Sequence, residues 1–327
     1  MMREHSRVRL ILGLIAAVLT ALGLHISWGL VADLWIGDPV ARVIVIDIRL
    51  PRALLALLVG AALGASGAAL QGFLRNPLAE PGVVGVSAAA ALAAVTVLYL
   101  GSAGIASWSL PLAALGGALT ATAVLVILAR QGARSLTLIL AGVAINSLAA
   151  AGTALVLNLS PSPFALADMV TWIMGSFANR SMDDVRLATP FVLAGLGLLL
   201  TCGRGLAALS LGEETAASLG MPAARLGMRI VLGTGLAVGA AVAVAGAIGF
   251  VGLVVPHLLR PRVAYAPDRL LVPSALAGAL FLLVGDLGVR LLPTTQPLNI
   301  GVVTALVGAP VFLHLIWISR RWQGGME

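Results

Sequence analysis

The sequence predicts an all-α, polytopic membrane protein of about ten transmembrane helices. Hydrophobic residues make up 60% of the 327 residues and charged residues only 10%, and the mean hydropathy is +1.07. Soluble domains carry roughly 25% charged residues. Apolar runs of roughly 20 residues recur from end to end, and each can cross a hydrocarbon layer of about 30 Å as a helix that satisfies its own backbone polar groups. We expect a single transmembrane domain over residues 1–327.

Ten apolar runs meet this criterion or come close to it. They are residues 10–32, 52–74, 82–100, 109–129, 136–158, 187–202, 228–247, 249–260, 270–291 and 299–318. The eighth is short and is punctuated by glycines. Residues 158–186, between the fifth and sixth runs, are too polar to span, so we expect short helices at the membrane surface there.

The arginines predict the orientation of these spans. All 20 basic residues are arginines. With a cytoplasmic N-terminus, fourteen of the 20 lie inside and six lie outside, the six being Arg42, Arg49, Arg52, Arg180, Arg186 and Arg290. This excess inside fits the positive-inside rule and places both termini in the cytoplasm. Because the arginines cluster at the ends of spans, the net charge of +7 reflects topology and does not predict nucleic-acid binding.

The residue types exclude several kinds of chemistry. No lysine occurs in the sequence, so the phosphate-binding loop that ends in Gly-Lys-Ser/Thr cannot be present, and any ATP must be hydrolysed on another chain. No paired carboxylates or Ser/His/Asp set predicts a catalytic residue. His25 and the other histidines stand alone, without partners at metal-ligand spacing, so we expect no metal site and no cofactor in this chain. Trp28, Trp35 and Trp108 suit an interfacial aromatic belt.

The second and seventh spans are rich in glycine and alanine, which lets helices approach closely inside a bundle. Val59-Gly60-Ala61-Ala62, with Gly67 beyond it, matches Val238-Gly239-Ala240-Ala241, with Gly246 at the same offset. The two spans run in opposite directions, so the match indicates an inverted repeat of the kind found in transporters. Helices of this composition also match by chance, and both interpretations stand at this point.

Polar residues mark the ends of several spans. The stretch 208–229 predicts a polar helix between the sixth and seventh spans, on the cytoplasmic side, that faces water or a soluble partner. The proline- and glycine-rich segment 75–82 is either an ordinary cytoplasmic turn or a loop at the mouth of a pathway. Asp286 and Arg290 are four residues apart on the ninth span, which predicts that they face each other as an ion pair.

Five motifs in order give the chain its resemblance to one family. They are Arg49-Leu50-Pro51-Arg52, the segment 75–82, Leu211-Gly212-Glu213-Glu214 with Ser218-Leu219-Gly220, the segment 249–257 and the segment 301–310. The chain resembles the FecCD-type permeases, which are the membrane subunits of type II ABC importers for iron-siderophores, haem and vitamin B12. The resemblance covers nearly all of the sequence.

The resemblance implies a homodimer with a translocation path on its axis, two cytoplasmic ATPase subunits that carry ATP and magnesium, and a periplasmic substrate-binding protein. The cytoplasmic stretch 208–229 would be the coupling segment that sits in a cleft of the ATPase. The residues expected to make this coupling are Leu211, Gly212, Glu213, Glu214, Ser218, Gly220 and Arg225.

The same resemblance implies two further sites. Arg49, Arg52 and Arg290 match the outer arginines that dock the binding protein, although Arg49 and Arg52 could instead anchor lipid headgroups and Arg290 could serve only to pair with Asp286. The translocation gate would fall on two cytoplasmic turns. Its residues would be Asn76, Leu78, Ser135, Leu136 and Thr137.

The function that these observations favour is import of a bulky iron chelate through the bacterial inner membrane, driven by a separate ATPase. A siderophore is favoured as the cargo, and haem and cobalamin remain open. The alternative is a secondary carrier or channel that works without ATP, which only the inverted repeat supports.

Overall fold

The structure is a computed structural model that describes residues 4–29, 38–101, 108–131, 135–293 and 298–323. Within these ranges the chain is all-α, as predicted, and helices coincide with all ten expected spans. The α-helices are α1 (Glu4–Ser27), α2 (Pro39–Val43), α3 (Leu50–Phe73), α4 (Val86–Tyr99), α5 (Ser109–Arg130), α6 (Ser135–Asn158), α7 (Pro163–Ile173), α8 (Met182–Leu200), α9 (Gly203–Leu209), α10 (Glu213–Ser218), α11 (Ala223–Ala245), α12 (Val251–Leu259), α13 (Pro267–Leu291) and α14 (Ile300–Gln323). Trp35 lies outside the described residues.

The described helices differ in how far they can cross a bilayer. Six are long and apolar enough to do so, and α8 with α9, which meet at a bend of 41°, would make a seventh. A six-residue π-helical stretch, Ile44–Arg49, joins α2 to α3, so α3 belongs to a helical run that begins at Pro39. The shorter apolar helical segments are α4, α7 and the part Ile300–His314 of α14. We call the end of the bundle that holds Arg49 and Arg290 the predicted outer end, and the opposite end the predicted inner end.

The centre of the bundle is α3, which packs against α13 and α11. Its glycines permit this packing: a Cβ on Gly60 would overlap the backbone of Gly278, and a Cβ on Gly64 would overlap the carbonyl of Ser274. Backbones approach this closely because, in a membrane, van der Waals contact between small residues drives helix association. The small residues predicted to place the second span within the bundle therefore do so.

By contrast, α6 is largely exposed along its length. Asn146 and Ser147 are exposed in the middle of this apolar helix, and Leu148 is 76% exposed. These two polar side chains therefore do not cross-link neighbouring helices of the same chain. A membrane helix with so little of its own chain around it must meet lipid, a partner or a path.

Between α11 and α12 the chain leaves the helical conformation inside the bundle. Gly246, which ends α11, has φ +71°, and Phe250, which precedes α12, has φ +66°, and L side chains rarely adopt such positive φ values. Non-helical backbone at membrane depth is tolerated only where protein or water surrounds it. Here protein covers part of it, because Ser176 N donates to Ala245 O at 2.8 Å and Gly308 lies against the Phe250 side chain, while Gly249 is exposed.

The segment 158–186 contains the expected short helix, α7, but this helix does not simply lie at the surface. Met169 is fully buried, Trp172 is 8% exposed, and Phe177 in the following loop is 1% exposed. The next helix, α8, begins at Met182, five residues before the predicted start of the span, because Ser181 and Asp184 form a capping box. The polar residues of this segment thus include a helix-start signal.

Candidate functional site

Three arginines gather around the C-terminal end of α1 at the predicted outer end. Arg49 Nη1 donates to Ile26 O at 3.0 Å and to Trp28 O at 2.6 Å, and Arg290 Nη1 donates to His25 O at 3.0 Å. The last carbonyl groups of a helix have no partner within the helix and carry a partial negative charge, so cations cap them favourably. Arg49 and Arg290 therefore fasten α1 to α3 and α13.

The third arginine, Arg52, binds a buried carboxylate. Its Nε lies 2.6 Å from Asp286 Oδ2 and its Nη2 lies 2.9 Å from Asp286 Oδ1, which is the bidentate geometry that makes arginine–carboxylate pairs strong. Asp286 is only 1% exposed, and Arg52 is 17% exposed. His25 Nε2 lies 2.8 Å from Asp286 Oδ2, so its ring N–H donates to the same oxygen. The carboxylate thus joins α1, α3 and α13.

The predicted pair of Asp286 with Arg290 is wrong. The spacing of four residues does place both side chains on one face of α13, but that face packs against α3 and α1. Arg52 meets the carboxylate along the edge of its guanidinium, and Arg290 turns to the carbonyl of His25. His25 itself was expected to be an isolated histidine, and it is fully buried against Asp286. The only sequence signal for it was a polar residue in the last turn of an apolar helix.

The coupling segment at the predicted inner end contains less helix than the sequence indicated. Only Glu213–Ser218 forms a helix in its middle, α10, because Gly212 has φ +112° and Gly220 has φ +75°, and these two glycines bound it. Leu211 is 68% exposed and Leu219 is 59% exposed, one on each side of α10. Arg225 lines a cavity of about 250 Å³ together with Arg204 and Arg229. The segment therefore presents two leucines and several charges away from the bundle.

One ion pair links the coupling segment to the predicted gate loop. Arg75 Nη2 lies 3.4 Å from Glu213 Oε1, and the two side chains are 52% and 47% exposed. An exposed pair of this kind contributes about 0 to 1 kcal/mol to stability. Its interest lies in its position, because it connects two segments for which the sequence predicts related roles.

The gate loop 74–85 is ordered by its own polar groups. Asn76 Oδ1 accepts from Leu78 N at 2.9 Å, which makes an Asx turn and leaves the Leu78 side chain 47% exposed. The Glu80 carboxylate accepts a hydrogen bond from the Phe250 N–H at the start of α12. Burial raises the pKa of the Glu80 carboxyl above its ordinary value, and this hydrogen bond opposes the rise. The gate loop is thus hydrogen-bonded to the residue that precedes α12.

A second set of hydrogen bonds, from α3 to α12 and the residue that follows it, was not predicted from the sequence. Gln71, 1% exposed in α3, donates through Nε2 to the carbonyls of Gly252 and Leu253, both at 3.2 Å. Arg260 Nη2 donates to Gln71 Oε1 at 2.9 Å. A glutamine within an apolar span was the available signal, since polar groups buried there need partners.

The other predicted gate residues stand at the start of α6. The helix begins at Ser135, followed by Leu136, and the side chain of Thr137 is exposed. This helix packs against the gate loop where Gly85, with φ +78°, lies against Gly142 and Ile145. The structure therefore brings the loop against α6, and the role of these residues in gating stays a prediction.

Comparisons with known proteins show what the chain as a whole is similar to. A sequence model described as the FecCD transport family matches residues 9–318. The vitamin B12 import system permease protein BtuC of Salmonella arizonae is 40% identical over 327 residues, covering 98% of this chain and 97% of its own. BtuC of Citrobacter koseri is 39% identical over 326 residues, with the same coverage. A solved structure of an inward-facing ABC transporter, described as of metal-chelate type, superimposes with a TM-score of 0.85 at 30% identity, covering 94% of this chain and 99% of the other.

Proposed function

Because the chain belongs to the FecCD transport family, and is therefore the membrane permease of a type II ABC importer, we propose that it imports cobalamin across the bacterial inner membrane, with ATP hydrolysed on separate cytoplasmic subunits. The observation that carries the choice of cargo is the 40% identity, over nearly the whole chain, to proteins named as vitamin B12 permeases. The sequence favoured a siderophore, and this comparison moves our proposal to cobalamin.

The exposure of α6 supports a homodimer with the path on its axis. This helix is apolar enough to span, yet little of it is covered by its own chain, and it carries Asn146 and Ser147 on exposed positions. Polar side chains within the membrane are costly unless they meet a partner or water. A second copy that packs against α6 and encloses a wet path would supply both.

The exposed leucines support contact between the coupling segment and an ATPase. Leu211 and Leu219 project from either side of α10, and Glu213 and Glu214 occupy its first turn. Apolar anchors surrounded by charges are typical of a protein interface. Because Glu213 pairs with Arg75, a movement of the coupling segment would act directly on the gate loop.

The arginine cluster supports docking of a binding protein at the opposite end. Arg49, Arg52 and Arg290 lie together, and of the acidic residues in the described ranges only Asp286 bonds to one of them. The cluster therefore keeps an excess of positive charge. An acidic patch on a periplasmic binding protein would be steered towards it.

Uptake into proteoliposomes tests this function. We expect the permease, reconstituted with its ATPase and binding protein, to accumulate cyanocobalamin only when ATP is present. The same vesicles without the ATPase are the control. Accumulation by the permease alone down an ion gradient would overturn the proposal in favour of a secondary carrier.

An iron chelate is the second candidate cargo, because the solved structure that resembles this chain is described as a metal-chelate transporter. Stimulation of ATPase activity by cyanocobalamin, a ferric siderophore or haem, each with the binding protein present, separates the candidates. Stimulation by the siderophore and not by cyanocobalamin would replace the first candidate with the second.

Glu213→Arg tests the coupling role. We expect assembly in the membrane to be unchanged, because the broken pair with Arg75 is exposed, and ATP-driven uptake to fall roughly tenfold, equivalent to about 1.4 kcal/mol of lost coupling. The control is Asp183→Arg, which breaks an exposed pair with Arg186 at the other end of the bundle. Full uptake by Glu213→Arg would show that Glu213 has no coupling role. Recovery of uptake in the double variant Glu213→Arg with Arg75→Glu would show that the loss comes from the broken pair within the chain.

A further inference from the structure

The cavity of about 250 Å³ beside the coupling segment lies where two helices meet at the predicted inner end. The first turn of α9, which leads into the coupling segment, and the first two turns of α11 line it, together with the turn at Gly220–Pro222. This volume is smaller than the pockets of about 300 to 1,000 Å³ that hold drug-sized ligands. Its occupant is therefore a small group.

Three arginines, Arg204, Arg225 and Arg229, line this cavity. All three residues are exposed, so their guanidinium groups are accessible to a ligand. Arg225 and Arg229 are four residues apart on α11, which places them on one face of the helix. Most of the accessible lining is polar, and apart from the arginines only Thr201 contributes a side-chain oxygen or nitrogen atom to it. The cavity is thus lined mainly by hydrogen-bond donors.

Within the described part of the chain, no acidic side chain balances these charges. None lines the cavity, and none forms an ion pair with any of the three arginines. Glu213 pairs with Arg75, and Asp268, whose backbone lies near Gly203, is 4.0 Å from Arg269. Like charges that share one small cavity repel each other. An anion brought from outside the chain would relieve this repulsion.

The N-terminus of α11 adds positive potential at the same place. This helix has 23 residues, and its N-cap residue, Pro222, lines the cavity. No side chain caps α11, since proline offers no side-chain acceptor. The first N–H groups of a helix carry a partial positive charge and have no partner within the helix, so they bind phosphate and similar anions. The helix end and the three arginines therefore favour the same kind of occupant.

We propose that this cavity binds a phosphate group, held by the three guanidinium groups and the N-terminus of α11. The planar fork of a guanidinium matches two oxygens of a phosphate. Two sources share this chemistry, which are the headgroup of an anionic phospholipid and inorganic phosphate from the cytoplasm. The first is available because α8 ends and α11 begins beside the cavity, where a membrane span gives way to the headgroup layer.

A phosphate bound here would act on the coupling segment. The cavity walls come from α9 and α11, the two helices that flank α10 in the chain. An anion that bridges arginines of both helices would hold them together and so fix the base from which α10 projects. This site is a property of the permease itself and does not depend on which cargo is imported.

Arg204→Gln combined with Arg229→Gln tests the site. This double variant removes two of the three charges and leaves Arg225, which is expected to contact the ATPase, unchanged. The matched control is Arg130→Gln combined with Arg262→Gln, which removes two exposed arginines of the same end that lie outside the cavity lining. Both double variants lower the net charge by the same amount.

Two probes are measured on the purified full-length chain at low ionic strength, because salt screens exposed charges. Native mass spectrometry counts the phosphatidylglycerol retained from nanodiscs that mix it with phosphatidylcholine. Calorimetry measures the binding of inorganic phosphate in nanodiscs of phosphatidylcholine alone. We expect the test variant to bind one of these probes at least about tenfold more weakly than the wild type, since hydrogen bonds between charged groups are lost. The control variant should bind both probes as the wild type does.

The outcomes distinguish the two sources and can overturn the site. Selective loss of phosphatidylglycerol assigns the site to a lipid headgroup, and selective loss of inorganic phosphate assigns it to the free ion. No difference between wild type and test variant with either probe overturns the phosphate site. If the test variant then also binds the ATPase more weakly, the acceptor is an acidic side chain of that partner. Thermal unfolding of both double variants without a probe checks that the fold is kept.

Discussion

Asp286→Asn is expected to destabilise the permease by about 3 kcal/mol, because removing one partner of a buried ion pair leaves the other charge without compensation. Arg52 would keep its positive charge at 17% exposure, and the amide cannot accept two charge-assisted hydrogen bonds in its place. His25, which is fully buried, would lose its carboxylate partner as well. Unfolding of the purified permease by heat or denaturant, followed by helical circular dichroism, measures the loss.

The expected loss is tied to the burial of this pair, and two variants check that. Asp183→Asn breaks the ion pair between Asp183 and Arg186, whose side chains are 58% and 73% exposed. This change should lower the free energy of unfolding by no more than about 1 kcal/mol. Arg52→Gln combined with Asp286→Asn removes both charges and should cost less than Asp286→Asn alone. Equal losses for Asp183→Asn and Asp286→Asn would show that the buried carboxylate does not hold the three helices together.

Gly278→Ala is expected to destabilise the bundle by about 1 to 3 kcal/mol, the usual range for overpacking. A Cβ on Gly278 would overlap Gly60 O and lie 3.2 Å from Gly64 Cα. These are backbone atoms, so no change of rotamer relieves the overlap, and α3 and α13 must move apart. The same unfolding measurement, together with ATP-driven uptake, reports the effect.

Gly288→Ala is the matched control on the same helix. No atom lies within 4 Å of a Cβ at Gly288, so this variant should gain up to about 1 kcal/mol from the higher helix propensity of alanine. The two alanine variants should therefore shift stability in opposite directions. A stabilised Gly278→Ala variant would mean that α3 and α13 do not approach as closely as described.

Much of the fold follows from contiguous residues. Length and hydropathy predict a helix because a helix satisfies its own backbone polar groups, and helices coincide with all ten predicted spans. Gly220 and Pro222 mark the turn before α11 in the same local way. The family could also be recognised, since its motifs are short ordered strings such as Arg49-Leu50-Pro51-Arg52.

The partners of buried polar groups could not be obtained in this manner. Asp286 was paired with Arg290 because local spacing ranks the nearest residue on a helix face first, whereas its partners in the structure are 234 and 261 residues away in the chain. Which side chain reaches the carboxylate depends on how α1, α3 and α13 pack, and that packing depends on glycines far apart in sequence.

The sequence by itself therefore determined a helical membrane permease, and it predicted a sidedness from the arginines and the segments that would face partners, because hydropathy and charge act over neighbouring residues. Only the tertiary structure decided that Asp286 joins three helices and that Arg75 meets Glu213. Those contacts form when distant helices pack at a particular register, and no local pattern specifies that register.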